Sequence, residues 1–191
     1  MRWSPLAPND VIRRECTIRH NPCYLTLRTT DAGAMGIRYY ALAVPPHLLE
    51  RASASLPDFL ASHPWGDPDD PENEGPLSLD LDKCWREFQV IFGPPESPSA
   101  AFELVRGDVT HTDAGWIPFQ RFLDADQVQR VARDLADIDE CFVMDRLSAN
   151  RVRPHEEFER EVDYALRFLD AAGSFAQQLA ASGSGLIYRI G

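Results

Sequence analysis

The chain has 191 residues, enough for one domain with or without an appendage. Its 44% hydrophobic and 10% aromatic content is that of a globular protein whose core needs no disulfide or metal staple. Thirty acidic against 19 basic residues give a net charge of −11, which disfavours duplex nucleic acid and anionic lipid, since both are bound by clustered Lys and Arg.

Cys16, Cys23, Cys84 and Cys141 form no Cys-x-x-Cys pair, so neither a zinc ribbon nor a dithiol redox motif is expected. Cys84 and Cys141 lie in apolar, helix-like surroundings that suit buried free thiols. No run of 18 apolar residues exists to span a bilayer, and Arg13, Arg14, Glu15, Arg19 and His20 interrupt any signal-peptide core. A cytoplasmic protein without metal or cofactor is expected. Nothing in the pattern fixes an oligomeric state.

The first 34 residues carry five basic and three acidic groups, leaving 14 and 27 for residues 35–191, a net −13. Residues 1–34 show little periodicity beyond a possible strand at 23–27, and Met35 stands directly before a clean strand pattern. A start assigned too early, or a loosely held extension, is expected there. Residues 37–44, rich in β-branched and aromatic side chains, predict a strand that Pro45-Pro46 ends while opening a helix. That helix carries Leu48, Leu49 and Ala52, and a second short one holds Phe59 and Leu60. Residues 63–76 hold four prolines and five carboxylates, which predicts an acidic loop.

The spacing of Leu81, Cys84, Trp85, Phe88, Ile91 and Phe92 predicts a helix over 78–92, capped by Asp80 and stopped by Gly93-Pro94-Pro95. A short helix or strand at 101–105, a polar turn over 107–115 and an extended segment at 119–123 follow. Asp124 or Asp126 then caps a helix whose stripe is Val128, Val131, Ala132, Leu135 and Ile138. The last helix runs over 155–182, with Phe158, Val162, Ala165, Leu166, Leu169, Ala172, Phe175 and Leu179 on one face. Gly183 suits its left-handed close, and 186–190 predict a final strand. Strands at both ends with helices between them imply an α+β domain over 35–191: a small mixed sheet covered by helices.

Leu79-Asp80-Leu81-Asp82-Lys83-Cys84-Trp85 resembles the Leu-Asp-Leu-Asp-Lys-x-Trp signature of the YfbM-like family of bacterial domains of unknown function. Met35-Gly36-Ile37 resembles that family's opening, Gly115-Trp116-Ile117-Pro118 with Phe122-Leu123 its central turn, and Leu186-Ile187-Tyr188-Arg189-Ile190 its closing strand. The resemblance covers about 35–190. It implies the α+β fold with a mixed sheet and supplies no activity. Where the family tends to carry a histidine after the tryptophan, in a His-aromatic-Leu-Leu run, this chain has Gln89-Val90-Ile91-Phe92, so no base or ligand is expected there.

Two constellations are candidate pockets. Asp80, Asp82, Lys83 and Trp85 offer paired carboxylates, the chain's only lysine and an indole wall; the plainer reading makes Asp80 a helix cap and Trp85 core. Asp108, His111, Asp113 and Trp116 offer a His-x-Asp spacing able to orient an imidazole, but with too few ligands for a metal; the plainer reading is a solvated loop. His155-Glu156-Glu157 lacks the second histidine of a metalloprotease helix, Glu159 standing in its place. The expected function is a non-enzymatic, acidic protein-binding module for a basic partner, possible in antidote or immunity form. Its rival is a small hydrolase or transferase using the carboxylate, lysine and tryptophan pocket.

Overall fold

The computed structural model describes residues 36–62, 77–93, 98–149 and 155–191, with His155 and Glu156 described by backbone alone. The expectations for residues 1–34 and for the acidic loop at 63–76 lie outside them. At the centre is β6 (Gly185–Ile190), flanked by β1 (Tyr39–Val44) and β5 (Phe119–Leu123), with β2 (Ser78–Asp82) beyond β1. The sheet order is β2-β1-β6-β5, and each of its pairings is antiparallel. Tyr39 and Phe119 both lie opposite Ile190, and Leu123 lies opposite Leu186, so β6 joins the two halves of the sheet.

β6 is buried on both faces, which explains its near-continuous apolar run. Leu186, Tyr188 and Ile190 enter the main core, while Ile187 points into a smaller cluster with Val44, Ala52 and Phe59. That smaller cluster is roofed by α1 (Leu49–Ala54) and α2 (Leu56–Ser62), which follow a single 3-10 turn at Pro46–Leu48. The main core is covered by α3 (Trp85–Ile91), α4 (Ala125–Ala136), α5 (Glu140–Ser148) and α6 (His155–Ser182). Each large apolar side chain withdrawn from water contributes about 1.5–3 kcal/mol against the entropy of ordering it.

α4 forms where its ends and its face agree. The Asp124 side chain accepts from the Gln127 amide at 2.8 Å, and the Gln127 side chain accepts from the Asp124 amide at 2.9 Å, a reciprocal capping box. Val128, Val131, Ala132 and Leu135 make its buried stripe, and Ile138 falls just beyond its end. α6 spans the residues its periodicity predicts, and Gly183 closes it at φ +65°.

The helix expected over 78–92 is a correction. Its first five residues are β2, and only Trp85–Ile91 is helical. Leu79 and Leu81 are buried while Ser78 and Asp80 are exposed, an alternation with the period of a strand that a helical stripe from Leu81 onwards had masked. Asp80 therefore caps no helix. The polar turn expected at 107–115 is also more structured: β3 (Thr110–Thr112) and β4 (Gly115–Ile117) pair as a separate two-stranded ribbon. The segment at 101–105 is a 3-10 helix, Ala100–Leu104. α5 was not foreseen, because only Val143 and Leu147 mark its buried side. Cys141, on that helix, is half-buried, whereas Cys84 is fully enclosed.

Candidate functional site

The first candidate group sits where β2 turns into α3. The register against β1 shifts between Tyr39 and Tyr40, which face Asp82 and Asp80, so Leu81 bulges out of the ladder. Asp82 takes φ +48°, the left-handed conformation that aspartate tolerates better than most residues. The Asp80 carboxylate accepts from the Asp82 amide at 2.6 Å and so holds this turn.

Asp82 itself is gripped from two other elements. Tyr164 of α6 donates its hydroxyl to Asp82 Oδ2 at 3.3 Å, and Arg38, just before β1, lies 3.4 Å from Oδ1, an ion-pair separation without hydrogen-bond geometry. Burial, then the Asp82 charge, pushes the Tyr164 phenol up, so it remains a donor at neutral pH. Lys83 is exposed, and Trp85 is in the core at 1% exposure with the Arg86 guanidinium 4.9 Å from its ring. Burial, then Glu87, raises the Cys84 thiol, which keeps it protonated and unreactive. The four predicted residues thus share a turn but not a cavity wall: Asp80 serves the turn, Asp82 docks it to α6, Trp85 fills the core. Arg38 and Tyr164 were missed. Both come from distant segments, and only a cross-strand pairing of β1 with β2 would have pointed to the first.

Gln89, at the position where the resemblance leads one to look for a histidine, donates from Nε2 to Val105 O at 2.6 Å and Gly107 O at 2.7 Å. It ties α3 to the chain leading into the ribbon and has no acid–base capacity.

The second candidate group is on the ribbon. His111 lies opposite Trp116, Thr110 opposite Ile117 and Thr112 opposite Gly115. Directly opposed residues share a face, so His111 and Trp116 line one side and Ile117 the other. All six strand residues are exposed, Trp116 at 39% and Ile117 at 58%, and Asp108 and Asp113 are exposed beside them. Pro118 leads from the ribbon directly into β5, the edge of the sheet opposite β2. Three strand spacings, roughly 14 Å, separate the edges, so the topology does not merge the two candidate groups into one pocket.

Among the described residues no group of three or more His, Cys, Asp and Glu is placed to hold a metal ion. Nor is any described helix long and apolar enough to cross a membrane.

The architecture is that of an α+β domain with a four-stranded antiparallel sheet and a detached ribbon. It is the fold of Escherichia coli YfbM, a protein of unknown function, with a TM-score of 0.50 over 81% of this chain and 99% of that one at 14% identity. At that identity the likeness shows the fold alone. No family model and no curated protein matches the sequence.

Proposed function

We propose that the chain is a non-enzymatic, cytoplasmic binding module that docks a basic protein through the β3–β4 ribbon, in the manner of an antidote or immunity protein. The observation that carries this reading is the ribbon itself. A two-stranded hairpin is at best marginally stable alone in water, yet this one presents Trp116 and Ile117 on opposite faces with all six strand residues exposed. Tryptophan is the residue most enriched among interface anchors, and an apolar ribbon edge gains most by completing its burial in a partner's groove. Exposed Asp108 and Asp113 beside it, on a chain of net charge −11, favour a basic protein and disfavour nucleic acid or an anionic membrane.

The rival reading, a hydrolase or transferase built on Asp80, Asp82, Lys83 and Trp85, draws less support from the geometry. Its indole lies in the core, and one of its two carboxylates is bonded to the amide of its own turn.

The test is retention of a partner from native lysate on wild-type protein and on Trp116→Ala. A single basic protein held stoichiometrically at low salt, released at high salt and lost with Trp116→Ala supports the reading. Retention that ignores Trp116, or no retention at low salt, defeats it.

A further inference from the structure

A second feature lies away from both candidate groups, where the 3-10 helix Ala100–Leu104 meets β5 and the first turns of α4. A cavity of about 450 Å³ opens there, within the size range of small-molecule sites. Its walls include Ser99, Glu103, Arg121, Gln127 and Arg130. In a chain of net charge −11, this is a place where guanidinium groups outnumber carboxylates.

The donors in it are unevenly used. Glu103 accepts from Arg106 Nη2 at 2.5 Å and Nε at 2.9 Å through one oxygen, and from Arg121 through the other, so its charge is matched from two sides. Arg130 has no hydrogen bond or ion pair among the described residues, although it is close enough to share the cavity with Arg121. Gln127 accepts the Asp124 amide through its oxygen, which leaves its NH2 group to be directed elsewhere. Ser99 occupies a capping position yet makes no side-chain capping bond, and its hydroxyl is buried without a partner among the described residues. A bound acceptor reaching this hydroxyl would supply the partner it lacks.

We propose that this cavity binds the phosphoryl group of a small phosphorylated molecule. Guanidinium forks match phosphate oxygens in pairs, and a phosphate monoester carries more charge and one more terminal oxygen than a carboxylate. Arg130 supplies the uncommitted charge, Arg121 the charge already oriented by Glu103, and Ser99 and Gln127 the neutral donors. The neighbouring carboxylates are turned to backbone amides: Asp124 caps α4, and Asp134 accepts the Ala101 amide at 2.6 Å. The site is distinct from the ribbon and stands or falls independently of the docking reading.

The experiment is calorimetric titration of the full chain with inorganic phosphate at fixed ionic strength, with acetate as a parallel arm. Saturable phosphate binding is expected, weakened roughly tenfold or more in Arg130→Gln and in Ser99→Ala. Arg133→Gln, an exposed arginine on the same helix whose Nε bonds Gln129 O, serves as control and leaves affinity unchanged. Circular dichroism verifies that each variant is folded. Absence of saturable phosphate binding, equal loss in Arg133→Gln, no loss in Arg130→Gln, or acetate binding as tightly as phosphate overturns the proposal.

Discussion

Tyr39 and Tyr188 stack on adjacent strands with ring centroids 5.3 Å apart, yet their hydroxyl groups are treated differently. Tyr188 donates to Arg106 O at 2.6 Å and thereby fixes the backbone of the residue that holds Glu103. The Tyr39 hydroxyl is buried without a partner among the described residues. Removing an acceptor-bound donor strands its partner, whereas removing an unpaired one relieves a desolvation penalty. Tyr188→Phe is therefore expected to lower unfolding free energy by about 1 kcal/mol, and Tyr39→Phe to leave it unchanged or raise it. Urea denaturation of the two variants decides this; equal losses would contradict the difference in hydroxyl bonding between the two sites. At this scale the sequence was a partial guide. Asp80, Asp82, Lys83 and Trp85 were identifiable as a group, but nothing local reveals that Asp82 is held by Arg38 and Tyr164, one 44 and the other 82 positions away in the chain.

Elements whose own periodicity agrees with their final surroundings were readable, and those whose burial is set by neighbours were not. β1, α6 and β6 carry long uninterrupted signals, and α6 spans the 155–182 expected of it. β2 was lost because Leu81 belongs both to the strand's alternation and to the stripe that continues through Cys84 and Trp85, so a longer helical pattern absorbed it. α5 went unseen because two buried residues four apart are too few to stand out. For α4 the sequence allowed either Asp124 or Asp126 as cap, and the capping box selects Asp124. Asp124→Ala is expected to cost about 1 kcal/mol, while Asp126→Ala, which loses only a favourable charge in the first turn, costs a few tenths. Thermal melts of the two variants check the assignment, and an equal shift in both would contradict it.

At the scale of the whole molecule, four phenols among the described residues are shifted the same way. Burial raises Tyr39, Tyr40, Tyr164 and Tyr188 above the ordinary value of 10.0, with Tyr188, Asp80 and Asp82 adding to the rise at Tyr39, Tyr40 and Tyr164 respectively. A group whose folded pKa exceeds its unfolded one contributes stability that is fully present below the unfolded value and lost as pH climbs toward the folded value. The urea midpoint is therefore expected to start falling as pH passes about 9, where the Cys84 thiol of the unfolded chain ionises, and to fall more steeply past 10, where the phenols follow. Absorbance of phenolate at 295 nm tracks the same event, and a native protein whose tyrosines all ionise near 10 would refute it. The candidate cavity belongs to this scale too. Its walls come from the segment before the 3-10 helix, from that helix, from β5 and from α4, and no local spacing announces such a convergence.

β6 lies between β1 and β5 but is made after both of them. On the ribosome, the two flanking strands leave the exit tunnel with their inner edges open and nothing to zip against. At synthesis rates of roughly 5–20 residues per second, β1 waits some seconds for its partner. Until then the inner edges of both strands stay unpaired, and the sheet is complete only when Leu186, Ile187 and Tyr188 take their places between them.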